Sequence, residues 1–286
     1  MAIIATDLDR TLLPNGEEKY DGTLPVFKKI IKQNKFKLIY ITGRTLKQIK
    51  PAIHKYDLPW PDYILTNVGC RIYKFYKGKE KFVLYKKWFK EMRKNTPEWD
   101  KKKLKKTLKN IQGLRIQEKS KQDRFKISYY VDLDKAEEVL KKVKSLLKKF
   151  KGIQTIYSVD YPEPRGLLDI MPKKGSKKGA LDYLIKNIKE RKEDVIYCGD
   201  SGNDLPLVSS QYKSILVKNS PESVKKQAKN KKQNKNQLYV SKKQKELNGN
   251  YVSGILQGLI YFKLISKKEV LNLVKRYREK ENKFRE

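Results

Sequence analysis

The chain of 286 residues holds a single histidine, His54, and only two cysteines, Cys70 and Cys198. His54 falls in a helical stretch near Pro51, so histidine triads and histidine-ligated metals are set aside as the basis of any chemistry. The cysteines form no metal-binding spacing. Each lies in an apolar setting near a strand and reads as a small buried residue. Their scarcity makes a cytoplasmic, reducing location the expectation. No apolar run approaches the ~20 residues that span a bilayer. A strand starts right after Met1, without a basic region or cleavage pattern, so neither a signal peptide nor membrane binding is expected. Acidic residues are also scarce: 32 Asp and Glu face 68 Lys and Arg, a net charge of +36. Such a charge suggests nucleic acid or an anionic surface. However, lysine dominates over arginine and is spread along the polar sides of periodic segments such as 141–149. No arginine and aromatic cluster marks a reading surface. The charge reads as a solvated face, and no specific nucleic-acid partner is expected. What remains for chemistry is carboxylate, lysine and hydroxyl.

The apolar content of 38% supports a hydrophobic core, and the length suits a large α/β domain with a smaller second one. The opening stretch Ile3-Ile4-Ala5-Thr6-Asp7-Leu8-Asp9-Arg10-Thr11 begins as a buried parallel strand. It ends in two carboxylates and a hydroxyl, where ligands bind in open α/β sheets. Two neighbouring acids repel and need a cation or a shared proton. By itself the pair is ambiguous, because Asp also serves turns and caps.

A polar turn at 14–18 leads to a helix over 24–33, a strand over 37–41, then Thr42-Gly43-Arg44 and a further helix. A third strand over 63–65 ends at Thr66-Asn67, completing a βαβ pattern. The pattern then changes. A hairpin is expected over 69–85 and a helical segment up to about 110 between and beyond Trp88 and Trp99. Strands are expected over 114–118 and 125–131, and a helix over 135–150 capped by Asp132 or Asp134. Strands over 153–159 and 167–171 follow. This order marks 84–172 as an inserted α+β domain, flanked by core segments 1–83 and 173–286. The βα pattern resumes with a helix over 180–188, a strand over 195–198 ending in Gly199-Asp200-Ser201-Gly202-Asn203-Asp204, and strands over 214–217 and 238–240. The stretch 225–245, rich in Lys, Asn and Gln, is expected to include a mobile loop.

Four strand ends thus carry polar groups: Asp7/Asp9/Thr11, Thr42, the Lys177 region and Asp200/Asn203/Asp204. Parallel strands gather these ends on one edge. Carboxylates with waters and a phosphate suit Mg²⁺. A lysine then faces phosphate as a point charge.

These four segments resemble motifs I to IV of the haloacid dehalogenase (HAD) phosphohydrolase superfamily, in order, with the insertion between motifs II and III as in class IIB. Trp88, Phe125-Lys126-Ile127-Ser128-Tyr129-Tyr130-Val131-Asp132, Leu168-Asp169-Ile170-Met171-Pro172 and Gly254-Ile255-Leu256-Gln257-Gly258 resemble the sucrose-phosphatase-like family. The resemblance implies an α/β fold, a HAD-like Rossmannoid parallel sheet with an α+β cap. It implies Asp7 as nucleophile, Asp9 as general acid and base, and Thr42 and Lys177 as catalytic phosphate-binding groups. Mg²⁺ would be held by Asp7, the Asp9 carbonyl and Asp200, with Asp204 beside it as a ligand through water or as an anchor for Lys177. Thr11, Gly43, Arg44, Lys126 and Asn203 are candidate substrate contacts. Lys178 is the alternative to Lys177, and Arg10 is left without a role. On β alternation, Lys126, Ser128 and Tyr130 share a face open to hydroxyl-rich ligands. The implied function is Mg²⁺-dependent hydrolysis of a sugar phosphate, sucrose 6-phosphate or a related saccharide, by a monomer. Mannosylfructose phosphate, amino-sugar or hexose phosphates, and a phosphomannomutase-like transfer are the alternatives.

Overall fold

The computed structural model describes residues 1–14, 21–160 and 164–283. The expected turn at 14–18 therefore lies largely outside the described residues.

The chain runs β1 (Ile3–Thr6), α1 (Thr23–Gln33), β2 (Lys37–Ile41), α2 (Leu46–Lys55), β3 (Tyr63–Thr66), β4 (Arg71–Tyr76) and β5 (Lys81–Leu84). It continues with α3 (Lys86–Asn95), α4 (Lys101–Leu108), β6 (Leu114–Ile116), β7 (Ile127–Val131), α5 (Ala136–Leu147), β8 (Ile153–Asp160) and β9 (Arg165–Pro172). The last part is α6 (Lys177–Asn187), β10 (Val195–Gly199), α7 (Leu205–Val208), β11 (Lys213–Leu216), α8 (Glu222–Lys231), β12 (Leu238–Val240), α9 (Tyr251–Tyr261) and α10 (Lys267–Lys283).

One sheet has the order β12-β11-β10-β1-β2-β3-β4-β5. Its strands are parallel from β12 to β3, and β4 and β5 extend it as an antiparallel edge. The inner strands are apolar on both faces, as burial from both sides requires. Ile4, Tyr40 and Cys198 face one helical layer, with α1, α9 and α10. Ile3, Ala5, Ile39, Ile41 and Tyr197 face the other, with α6 and Trp88. Each fully buried Ile or Leu contributes roughly 1.5–3 kcal/mol against the entropy of ordering the chain. From β1 the chain steps outward through β2 and β3, then returns to place β10 on the other side of β1. The strand order reverses at β1, and such a switch point opens a crevice at the carboxyl ends of the strands.

A second sheet, β6-β7-β9-β8, is antiparallel. Helices α4 and α5 pack on one face of it through Leu104, Leu108, Val139, Val143 and Leu147, against Ile127, Tyr129, Val131, Leu168 and Ile170.

Several local expectations are corrected. The helical segment before residue 110 is two helices, because Asp100 starts α4 by accepting from the amides of Lys102 and Lys103. Neither Asp132 nor Asp134 caps α5, whose flanking residue is Lys135 with no side-chain cap. The first third of the stretch 225–245 is helical: α8 runs to Lys231 and buries Val224 and Ala228. Lys177 stands in the first turn of a helix, not at a strand end. Among the described residues no helix is long and apolar enough to cross a membrane.

Candidate active site

Strand β1 ends at Thr6, so Asp7 is the first residue past the ladder, anchored by its amide to the Cys198 carbonyl at 3.0 Å. Its side chain is buried. Oδ1 accepts from the Leu8 amide at 2.8 Å, and Oδ2 from Lys177 Nζ at 2.8 Å. The same ammonium donates to Asp204 Oδ1 at 2.7 Å. Lys177 opens α6 after Ser176, whose hydroxyl accepts from the Gly179 amide. A cation there opposes the helix dipole, and the two carboxylates supply the compensation. Lys178, by contrast, pairs with Asp182 one turn along the same helix and does not reach the acids.

Asp200 follows β10 and is almost fully buried. Thr11 Oγ1 donates to its Oδ1 at 2.8 Å, and Arg10 Nε lies 3.5 Å from its Oδ2. Thr11, expected at the substrate, is instead fully buried and committed to Asp200. Arg10 holds a left-handed backbone with φ 61° and exchanges further contacts with Asn219, whose Nδ2 donates to the Arg10 carbonyl at 2.7 Å.

Carboxylate oxygens of Asp7, Asp200 and Asp204 lie within 4.8 Å of one another. Three buried acids around one ammonium leave an excess of negative charge. Burial pushes the Asp7 carboxyl well above its usual range against the pull of Lys177, and Asp204 and Asp200 add to the rise. Burial and then the charge of Asp204 push Asp200 up to about 7. Burial works to raise Asp204 too, but Lys177, Tyr197 and the Ser201 amide hold it below the ordinary value. Lys177 is held above its ordinary value by Asp204 and Asp7, although burial opposes this.

This donor set fits a hard divalent cation such as Mg²⁺, which takes carboxylate and carbonyl oxygens. The acids differ in their capacity for it. Asp204 Oδ1 accepts from Lys177 and Tyr197 Oη, and its Oδ2 from the amides of Asp200 at 3.1 Å and Ser201 at 3.0 Å. A carboxylate offers about four lone-pair sites, so Asp204 is saturated and serves as the anchor for Lys177. Asp7 and Asp200 keep capacity. Gly199 admits this arrangement, since a Cβ there would lie 2.8 Å from the Asp204 carboxyl group.

Asp9 lies on the loop, half-exposed, and is gripped by Arg44: Nη2 donates to Oδ1 at 2.5 Å and Nε lies 3.0 Å from Oδ2. Thr42 follows β2, fully buried, with its hydroxyl accepting from the Arg44 amide at 3.1 Å. Gly43 beside it is exposed, and Asn203 is half-buried with Oδ1 3.1 Å from Ser201 Oγ. A cavity of about 1210 Å³ runs from Lys177 and Asn203 along α6 beneath β8, with Trp88, Gln154, Tyr157 and Lys174 in its wall.

Of the expected substrate face on β7, only part is available. Lys126 precedes the strand, is buried, and its Nζ lies 3.5 Å from Asp169 Oδ1. Ser128 is fully buried with its hydroxyl 2.5 Å from the same carboxylate, and Tyr130 Oη donates to Glu118 at 2.9 Å. Two contributors were missed from the sequence. Tyr197 reads as one more bulky residue of a buried strand, and its hydroxyl is the only signal of a role. Asp169 is an acid inside an apolar run, which calls for a partner.

A family model described as sucrose-6F-phosphate phosphohydrolase matches residues 1–263. A putative HAD-like hydrolase of Nitrosococcus oceani is 35% identical over 268 residues, covering 91% of this chain and 71% of that protein. Probable sucrose-phosphatase 2 of Arabidopsis thaliana is 27% identical, with 92% of this chain spanning 60% of that protein. The chain thus accounts for only part of the plant relative's length. The sucrose-phosphatase of Synechocystis, solved with sucrose and phosphate, superposes with a TM-score of 0.77 at 22% identity over 92% of this chain and 98% of that one. A HAD subclass IIB sugar phosphatase gives 0.60 at 14% identity, covering 93% and 100%. These two likenesses establish a common fold.

Proposed function

The chain belongs to the sucrose-6F-phosphate phosphohydrolase family of HAD phosphoric monoester hydrolases, and from that premise we propose that it is a Mg²⁺-dependent phosphatase acting on a sugar phosphate, with sucrose 6-phosphate the leading substrate. The observation that carries this reading is the buried set in which Lys177 bridges Asp7 and Asp204 beside Asp200.

The Asp7 carboxylate, the Asp9 carbonyl and Asp200 would hold Mg²⁺, which when bound neutralises the acids and the charge of the transferring phosphoryl group. Asp7 attacks phosphorus through a carboxylate oxygen and forms an aspartyl-phosphate as the sugar oxygen leaves. Asp9 protonates that oxygen and then takes the proton from the attacking water. For this it must leave Arg44, whose guanidinium is then free to meet a phosphate oxygen bidentately. Thr42 and Lys177 hold the remaining oxygens, while Asp204 and Tyr197 keep Lys177 in place. In-line transfer rests mostly on such positioning and charge neutralisation.

Residues 84–172 act as a cap in this reading. Lys126 and Asn203 contact the saccharide, and closure of the cap excludes water. The test is phosphate release across a panel of sugar phosphates with Mg²⁺ and with EDTA. Turnover of sucrose 6-phosphate above hexose phosphates, lost in EDTA, supports the reading. No release from any member of the panel overturns it.

A further inference from the structure

Lys126 stands before β7, outside the regular ladder, so another feature must fix it. Its backbone exchanges two hydrogen bonds with Asp123: the Lys126 amide donates to the Asp123 carbonyl at 3.3 Å, and the Asp123 amide donates back at 3.2 Å. Asp123 is in turn held from the other sheet. Asn67 Nδ2 and Arg71 Nε donate to its Oδ2 at 2.8 and 2.5 Å, and the Phe125 amide donates to Oδ1 at 3.2 Å. That carboxylate is 3% exposed. Cys70 Sγ also donates to the Phe125 carbonyl at 3.3 Å. Asn67, Cys70 and Arg71 are near neighbours in sequence at the β3–β4 connection, so one short segment of the core grips the loop that carries Lys126.

The core end of this strut touches the catalytic edge. The Asn67 amide donates to the Arg44 carbonyl and the Val68 amide to the Thr42 carbonyl, each at 3.0 Å. Asn67 and Val68 both hold left-handed backbones, with φ 52° and 60°. For a β-branched residue this is a strained conformation, which persists only where the surroundings over-determine it. Facing a carboxylate fixes which end of the Asn67 amide is the donor, and its buried Oδ1 is left without a hydrogen-bond partner. A strained Val68 next to an unsatisfied acceptor on Asn67 suggests that the placement of this segment serves more than packing.

We propose that the strut from Asn67 and Arg71 to Asp123 positions Lys126 for the saccharide, coupling the loop of Thr42 and Arg44 to the cap's specificity residue. The proposal rests on the reading above that Lys126 contacts the sugar. An aryl phosphate has no saccharide to place, so it draws on the core groups alone.

The experiment compares KM and kcat for sucrose 6-phosphate and for p-nitrophenyl phosphate in the full chain with Mg²⁺. Arg71→Gln and the isosteric Asp123→Asn are expected to raise KM for sucrose 6-phosphate about tenfold, with p-nitrophenyl phosphate within about twofold. Lys126→Ala is expected to give the same selective loss. Arg71→Lys, which keeps a cation before the Asp123 carboxylate, is expected to hold the KM for sucrose 6-phosphate within about threefold of wild type, whereas damage to packing alone would make it resemble Arg71→Gln. If Lys126→Ala loses selectivity while both strut variants behave as wild type, the strut is overturned and the sugar-contact reading stands. If Lys126→Ala leaves both substrates unchanged, that reading fails and the strut's proposed purpose fails with it.

Discussion

The carboxyl edge of the large sheet and the polar side of the small one are built on different logic. At the edge, side chains sit where strands stop. Asp7 follows β1, Thr42 follows β2 and Asp200 follows β10, on three adjacent parallel strands. Strand termination places each of them, and a short motif is enough to announce it. On the small sheet, Lys126, Ser128 and Tyr130 share strand parity but not a fate. Lys126 faces Asp169, Ser128 is buried on the same acid, and Tyr130 turns to Glu118. Local chain geometry governs the first region, and the partners available govern the second. On the proposed function, substitutions at the edge should therefore strike chemistry, while those on the small sheet should divide between specificity and packing.

The comparison can be broken most forcefully at Asp7. Asp7→Asn is expected to lower turnover by at least about 10³-fold with the fold retained, because the amide is a poor nucleophile. Circular dichroism alongside phosphate release checks both halves. Residual turnover near wild type would remove Asp7 from the centre of the account.

Lys177→Met comes next. It leaves Asp7 and Asp204 buried without their shared cation, and losing one partner of a buried charge cluster costs about 3–5 kcal/mol. Urea melts should show this loss, and Lys178→Met should change stability by less than about 1 kcal/mol, as for other exposed pairs.

A smaller effect concerns pH. The folded state raises Asp200 from the ordinary carboxylate range up to about 7. The native protein therefore binds a proton that the unfolded chain has released. Without metal, stability contributed by this group is present below about pH 4 and is lost as pH rises toward 7. Mg²⁺ favours the ionised acid, so its stabilising effect on the melting temperature should be larger at pH 8 than at pH 5. An equal effect at both values would contradict the fit of the acid set to the ion.

The smallest expected effect lies on the cap face. Ser128→Ala should cost about 1 kcal/mol of stability, the net worth of a typical hydrogen bond, with KM for sucrose 6-phosphate within about twofold. A tenfold rise in KM would place Ser128 with Lys126 as a sugar contact and erase the proposed division.

The same distinction explains what the sequence made legible. The alternating elements and apolar strands announced the parallel sheet, and the loops at their ends carried most of the site. Three features stayed hidden. The Asp9–Arg44 pair joins residues 35 apart and arises from packing of two loops. Saturation of Asp204 depends on Tyr197 and two amides, which no motif describes. The composition of 225–245 suggested a loop and hid the helix that opens it, in which Val224 and Ala228 fall one helical turn apart and are buried, and Lys232 continues that stripe inward. Among the described residues its ammonium meets no carboxylate, and it donates to the carbonyls of Ser210 and Tyr212. A lysine-rich surface composition masks a buried lysine, because composition averages over faces.

The central claim is that Asp7 takes the phosphoryl group. Borohydride added to the enzyme turning over sucrose 6-phosphate with Mg²⁺ would reduce an acyl-phosphate to the alcohol, converting the trapped aspartate to homoserine. Peptide mass spectrometry should find that change at residue 7, absent when either substrate or Mg²⁺ is omitted. Modification at Asp9 or Asp200 instead, or none at Asp7 while phosphate is being released, would contradict the account.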